Sequence, residues 1–96
     1  MARIAAIRQM VRQGAHEFAI PHFFEEMLND GLAFADIEEA VARGRIRRRF
    51  ADDARGTRCE IVGPATDGRQ IAVICRVKAT GKLLFIATYA SEQPRR

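Results

Sequence analysis

The spacing of apolar residues changes near residue 45. Before it, apolar positions recur at helical intervals. Ile4, Ile7 and Val11 follow the i, i+3, i+7 rule with Arg8 and Arg12 off that stripe, which predicts an amphipathic helix over about residues 2–13 that Gly14 ends. Pro21 stands where a first helical residue would, and Phe23, Phe24, Met27 and Leu28 form one apolar face. Gly31 followed by apolar Leu32 has the form of a Schellman end. A third helix turns Ile37, Ala40 and Val41 inward, carries Asp36, Glu38 and Glu39 early, as the helix dipole favours, and stops at Gly44. It has Ala33 where a Ser, Thr or Asp cap is usual, a loss of about 1 kcal/mol.

From residue 45 onward the period is two. RIRRRF, RCEIVG, QIAVICRVK and KLLFIATY read as four strands, separated by a loop at 52–56 and by turns at 66–69 and 79–82. Connections this short join antiparallel neighbours, because a parallel pair needs a crossover. The third strand is apolar on both faces and is expected at the sheet centre, while the first, with only Ile46 and Phe50 as large apolar residues, suits an edge. The expected fold is therefore α+β. About three N-terminal helices (about 2–43) pack on one face of a four-stranded antiparallel meander (about 45–90), with a short basic tail at 91–96.

Length and composition add bounds. A chain of 96 residues, 48% apolar and 29% charged, suits one globular domain over 1–96. Sixteen basic residues face twelve acidic ones, net +4, and the two kinds are segregated: acids prevail through residue 40 and bases after it. A basic second half makes a polyanion such as nucleic acid a candidate partner. Cys59 and Cys75 lie without a partner pair, which supports neither a disulfide framework nor a four-Cys zinc site, and both read as buried apolar residues. No apolar run has the roughly 18 to 20 residues of a membrane span. The Arg-bearing first segment superficially suits a transit peptide but reads as a helix of the domain, and the expected localisation is cytoplasmic.

Candidate chemistry centres on the arginines. Arg43, Arg45, Arg47, Arg48 and Arg49 cluster within one short stretch. In a regular strand Arg45, Arg47 and Arg49 share one face at about 6.5 to 7 Å intervals, close to the spacing of phosphates along an RNA strand. The same residues also suit a solvated edge strand guarded by charge, or a surface for an acidic protein. His22, in the first turn of the second helix and off its apolar stripe, has Glu26 at i+4 to orient the imidazole, an acid/base pair or else a surface ion pair. His16 reads as a loop residue or helix cap. Tyr89 ends the last strand, and Arg58 and Arg76 lie on the second and third strands. A phenol and arginines on a sheet are parts for RNA cleavage without metal, in which a base takes the 2′-hydroxyl proton and cations stabilise the phosphorane. Tyr89 equally suits a core-rim aromatic, whereas Arg76 on a central strand needs an open face or a partner. The Ala79–Lys82 turn lacks the spacing of a phosphate loop, no metal-ligand pattern is present, and no cofactor is expected.

These segments together carry a resemblance. HFFEEMLNDGLAFADIEEAV, ADDARGTRCEIVG, DGRQIAVICRV and LLFIATYA resemble, in order and spacing over residues 20–90, the bacterial domain-of-unknown-function 4258 family. The resemblance implies a fold similar to RelE/ParE-type toxins of the barnase–EndoU–colicin–RelE group. It also implies a place in a type II toxin and antitoxin pair, whose antitoxin would carry a zinc-finger domain similar to the MqsA type and hold any zinc. The family's helix His falls on His22, its acid on Glu26, its loop Arg-Gly on Arg55-Gly56, its turn on Asp67-Gly68-Arg69 and its terminal Tyr on Tyr89. Where relatives often carry His and Thr, this chain has Ala72 and Ala87, which puts activity in doubt if those positions are catalytic. The expected function is a metal-independent endoribonuclease toxin. His22, Glu26, Arg58, Arg76 and Tyr89 form its catalytic set, and Arg43, Arg45, Arg47, Arg48, Arg49, Arg55 and Arg69 hold the RNA backbone. The alternative is a non-catalytic module of the same fold that binds RNA or an acidic protein.

Overall fold

The computed structural model of the chain describes residues 3–50 and 57–90, so the loop at 52–56 with Arg55 and the tail at 91–96 lie outside the described residues. The elements are α1 (Ile4–Arg12), β1 (His16–Phe18), α2 (His22–Asn29), α3 (Phe34–Arg43), β2 (Arg45–Phe50), β3 (Arg58–Pro64), β4 (Gln70–Val77) and β5 (Leu83–Ala90). After α3 the chain is all strand, as the change of period requires, while β1 interrupts the helices, and the fold is mixed α+β with three helices.

The sheet corrects the expectation in one respect. It has five strands in the order β1, β5, β4, β3, β2, and it is mixed, because β1 runs parallel to β5. The short connections still join antiparallel neighbours, and the parallel pair is reached by the long crossover through α2, α3 and three strands. Three residues are too few to show a period of two, so β1 has no sequence signal. It is held by bonds from Leu83 N–H to Ala15 O (3.0 Å) and from Ala19 N–H to Phe85 O (2.9 Å). His16 is accordingly a strand residue and not a loop or cap. Its ring packs on Phe18, Phe34 and Phe85 at centroid distances of 5.2 to 5.6 Å.

Local chemistry explains the helix ends. α1 and α2 both close in Schellman form: Gly14 and Gly31 have φ of 72° and 65°, and Leu32 N–H reaches Met27 O at 2.8 Å. Ala33 offers α3 no side-chain acceptor, but the reciprocal half of a capping box is present, with the Asp36 carboxylate accepting the Ala33 N–H at 2.8 Å. Asp36 is buried and also accepts the Thr66 N–H (2.9 Å) and hydroxyl (2.6 Å), tying α3 to the β3–β4 turn. Those bonds, Thr66 first, hold its carboxyl below the usual range. At the far end of α3, Arg8 donates to Val41 O (2.9 Å) and Gly44 O (2.8 Å). Gly44 ends α3 for a reason other than left-handed backbone. It meets Gly63 where α3 crosses β3, and a Cβ on either would press into the Ala40 carbonyl.

The core lies between the helices and one sheet face, with Ile7, Phe23, Ile37, Ile61, Ile71, Val73, Leu83 and Phe85 fully buried. The expected apolar face of α2 is narrower than the sequence suggests. Phe23 and Met27 are buried, whereas Phe24 is 42% and Leu28 80% exposed. An eight-residue helix seated on β5 buries one i, i+4 pair and turns its neighbours outward.

Candidate functional site

Alternation along the strands sends every second side chain to the face without helices. Pairing builds that open face in three rows across β2, β3, β4 and β5: Arg45, Val62, Ala72, Tyr89; then Arg48, Glu60, Ile74, Ala87; then Phe50, Arg58, Arg76, Leu84. Arg47 joins the middle row because the β2–β3 register shifts between Ile46 and Arg48, so two consecutive arginines turn to the same face. This corrects the expected arginine strip. Arg45, Arg47 and Arg48 share the open face, while Arg49, paired with Cys59, lies with the core-facing row. A regular period of two cannot anticipate an extra residue in one strand.

Glu60 is the hub of this face and was not singled out in the sequence. Its side chain is 1% exposed, and its carboxylate accepts Arg47 (Nε 3.2 Å, Nη2 3.0 Å), Arg48 (Nε 3.0 Å) and the Tyr89 hydroxyl, which donates to Oε2. The Arg47 contact, aided by Tyr89 and Arg48, outweighs burial and holds the Glu60 carboxyl down at about 2. The same bond, seen from the phenol, raises Tyr89 above its ordinary value, so at neutral pH Tyr89 is a protonated donor. The available signal was an acid set inside the otherwise apolar run Cys59–Gly63, where a buried charge demands partners.

Arg58 and Arg76 face one another across β3 and β4, a like-charged pair of the kind that destabilises a sheet. Arg76 is 7% exposed. The Arg58 guanidinium lies over the Phe50 ring at 4.7 Å, and its Nε is buried without a hydrogen bond among the described residues. Beyond them Lys78 pairs with Glu17 at 2.7 Å, which lowers the Glu17 pKa.

His22 and Glu26 come together as expected, Nε2 to Oε2 at 3.1 Å, but in the helical layer beside the edge of β5. Glu26 is committed there: its other oxygen accepts the Thr88 N–H at 2.8 Å, and Asp30, one turn on, accepts the Ala90 N–H at 3.0 Å. These two carboxylates close the part of the β5 edge that β1 does not reach. Glu26 meets β5 at its edge, through the main-chain N–H of Thr88, whereas Glu60 lies two strands inward on β3, which sets the His22 pair apart from the Glu60 cluster. Two of the expected backbone-binding arginines are otherwise engaged. Arg69 holds Asp67 (2.9 Å) and the carbonyls of Asp30 (2.8 Å) and Gly31 (3.2 Å), and Arg43 pairs with Glu39 at 3.0 Å on α3.

Cys59 and Cys75 are register partners on the core side, free and buried, with both thiols pushed up by burial. Among the described residues no group of three His, Cys, Asp or Glu is placed to hold a metal ion, and no helix is long and apolar enough to cross a membrane. Comparison with curated proteins gave no match, and comparison with solved structures gave none either. One family does match, over residues 21–89, from Pro21 just before α2 to Tyr89 near the end of β5. The chain therefore belongs to the family described as domain of unknown function DUF4258.

Proposed function

We propose that the protein is the toxin component of a type II toxin and antitoxin system, a metal-independent endoribonuclease with a fold similar to RelE/ParE-type toxins, which engages RNA on the open sheet face. The observation that carries this reading is the concentration of Arg45, Arg47, Arg48, Arg58 and Arg76 with Tyr89 on the one sheet face that no helix covers. Such a face suits a phosphodiester backbone, since guanidinium groups bind phosphate bidentately and Phe50 and Tyr89 supply aromatic surface. In cleavage, attack of the 2′-oxygen on the adjacent phosphorus needs a proton acceptor, cationic support for the phosphorane and a proton donor for the leaving 5′-oxygen. Arg58 and Arg76 are the cations, His22 oriented by Glu26 is the general acid/base, reached by an RNA strand that bends around the β5 edge, and Tyr89 assists. Ala72 and Ala87, where the family resemblance expects His and Thr, fall on the same open face, Ala72 directly opposite Tyr89.

A specific observation favours the non-catalytic alternative, an RNA-binding module. His22 lies across the β5 edge from the arginines, and Glu60, the nearest carboxylate to them, is held at about 2 and is no base at neutral pH. The two readings separate on cleavage of a labelled RNA in the presence of a chelator, with growth arrest on expression as the cellular counterpart. Cleavage lost in His22→Ala and Tyr89→Phe supports the enzyme. Salt-dependent binding with neither cleavage nor arrest in the wild type leaves the module. The cognate partner in the toxin reading is an antitoxin with a zinc-finger domain, whose acidic surface would compete with RNA for the same arginines.

A further inference from the structure

Glu60 stands out on the open face as a buried acid at the centre of a surface that otherwise recruits cations. Its carboxylate is 1% exposed and is occupied by three side chains, Arg47, Arg48 and Tyr89. It takes Nε and Nη2 of Arg47 and Nε of Arg48, which leaves Nη1 of Arg47 and both terminal nitrogens of Arg48 outside that contact. Arg47 remains 33% and Arg48 62% exposed, so the Glu60 contact closes off neither side chain, although Arg47 also meets the Tyr89 hydroxyl and the Arg48 guanidinium lies 5.8 Å from the Phe50 ring centroid.

We propose that Glu60 is a positioning residue that, braced by the Tyr89 hydroxyl, locks Arg47 and Arg48 into one array in which the remaining donors of the two arginines bind a single phosphodiester group. This rests on the reading of the open face as an RNA surface and names what organises it. Long arginine side chains lose most of their rotamer freedom when they grip a ligand. A buried carboxylate that has already fixed them removes that cost from the binding step, as pre-organisation does in general. The β2 irregularity serves the same end, since it alone brings two consecutive arginines to one acid. Charge counting leads to the opposite expectation: an acid beneath two arginines cancels part of their field, and its removal should tighten the grip on a polyanion.

That opposition of sign provides the test. Binding of a labelled single-stranded oligouridylate is measured over a range of NaCl concentrations for wild type, Glu60→Gln, Glu60→Asp and Arg48→Lys. Positioning predicts about tenfold weaker binding for Glu60→Gln despite its extra net positive charge, a salt slope shallower by about one phosphate contact, and partial recovery in Glu60→Asp. Arg48→Lys, on a mostly exposed side chain and without change of charge, is expected to weaken binding severalfold, and it serves in place of Glu60→Gln should that variant not fold. A readout without RNA is at hand, because the chain has one Tyr and no Trp and its tyrosinate absorbance reports Tyr89 alone. Loss of the carboxylate should move the Tyr89 titration down from its wild-type position. Wild type that binds while Glu60→Gln or Arg48→Lys binds as tightly or more tightly overturns the positioning role and leaves the RNA surface standing. Wild type that binds no oligonucleotide overturns the RNA surface and, with it, the ligand assigned to the array.

Discussion

On its helix-covered side the sheet presents Ile61, Val73, Leu83 and Phe85, all fully buried, whereas the alternate residues of the same strands present Glu60, Arg58, Arg76 and Tyr89. The first face closes by shedding water from apolar surface, a force without direction that tolerates small shifts of packing. The second is organised by ion pairs and hydrogen bonds of fixed geometry, around one acid that four contacts satisfy. One side of the sheet therefore carries the apolar core and the other a cluster of paired charges. The Glu60 carboxylate, buried on the open side, is fully partnered because an unpartnered buried charge would be costly.

The largest effect that tests this contrast is expected at Phe85. Phe85→Ala empties the centre of the aromatic cluster and should lower unfolding free energy by about 3 to 5 kcal/mol in urea denaturation. Arg58→Ala, on the open face, should cost less than about 1 kcal/mol while weakening RNA binding. Equal destabilisation by the two would erase the distinction between the faces. Asp36→Ala comes next, about 1 to 3 kcal/mol by the same measurement, because the Ala33 and Thr66 groups lose their shared acceptor.

Acid should sharpen the comparison through Glu60 and Asp36. Both carboxyls are held below their ordinary values in the folded chain, so as pH falls the unfolded chain takes up protons first. For Glu60 the stabilisation is complete above its ordinary value of 4.5 and is lost as pH drops from there toward about 2. Melting temperatures followed between neutral pH and pH 3 should fall on that limb, and Glu60→Gln should flatten it; an unchanged limb would show that the open-face cluster contributes nothing to stability. The smallest effect is expected at His22, whose side chain is 60% exposed: His22→Ala should change unfolding free energy by no more than about 0.5 kcal/mol. Any loss of RNA cleavage in that variant would then belong to chemistry and not to folding.

Much of this molecule was legible before folding was considered. Gly14 and Gly31 end helices, β4 is central, β2 is an edge, and the two cysteines are free and buried, each as local pattern requires. The pairing of His22 with Glu26 also followed from spacing along one helix. The narrower apolar face of α2 did not, because which of Phe23, Phe24, Met27 and Leu28 is buried depends on how the helix seats against β5. Arg69 was equally ambiguous: its charge was evident, but its bonds to the end of α2 cross thirty-nine residues of sequence.

By itself the sequence determined the three helices and the four strands that follow residue 45, the periods that run along them, and the concentration of positive charge after residue 40. Only the tertiary structure decided that β1 joins the sheet in parallel with β5, that a register shift delivers Arg47 and Arg48 to one acid, and that Tyr89 completes that site while His22 lies across the strand edge. The physical reason is range. Periodicity and capping act between residues a few positions apart, whereas strand register is a property of two segments at once, and a one-residue offset in it changes which side chains share a face.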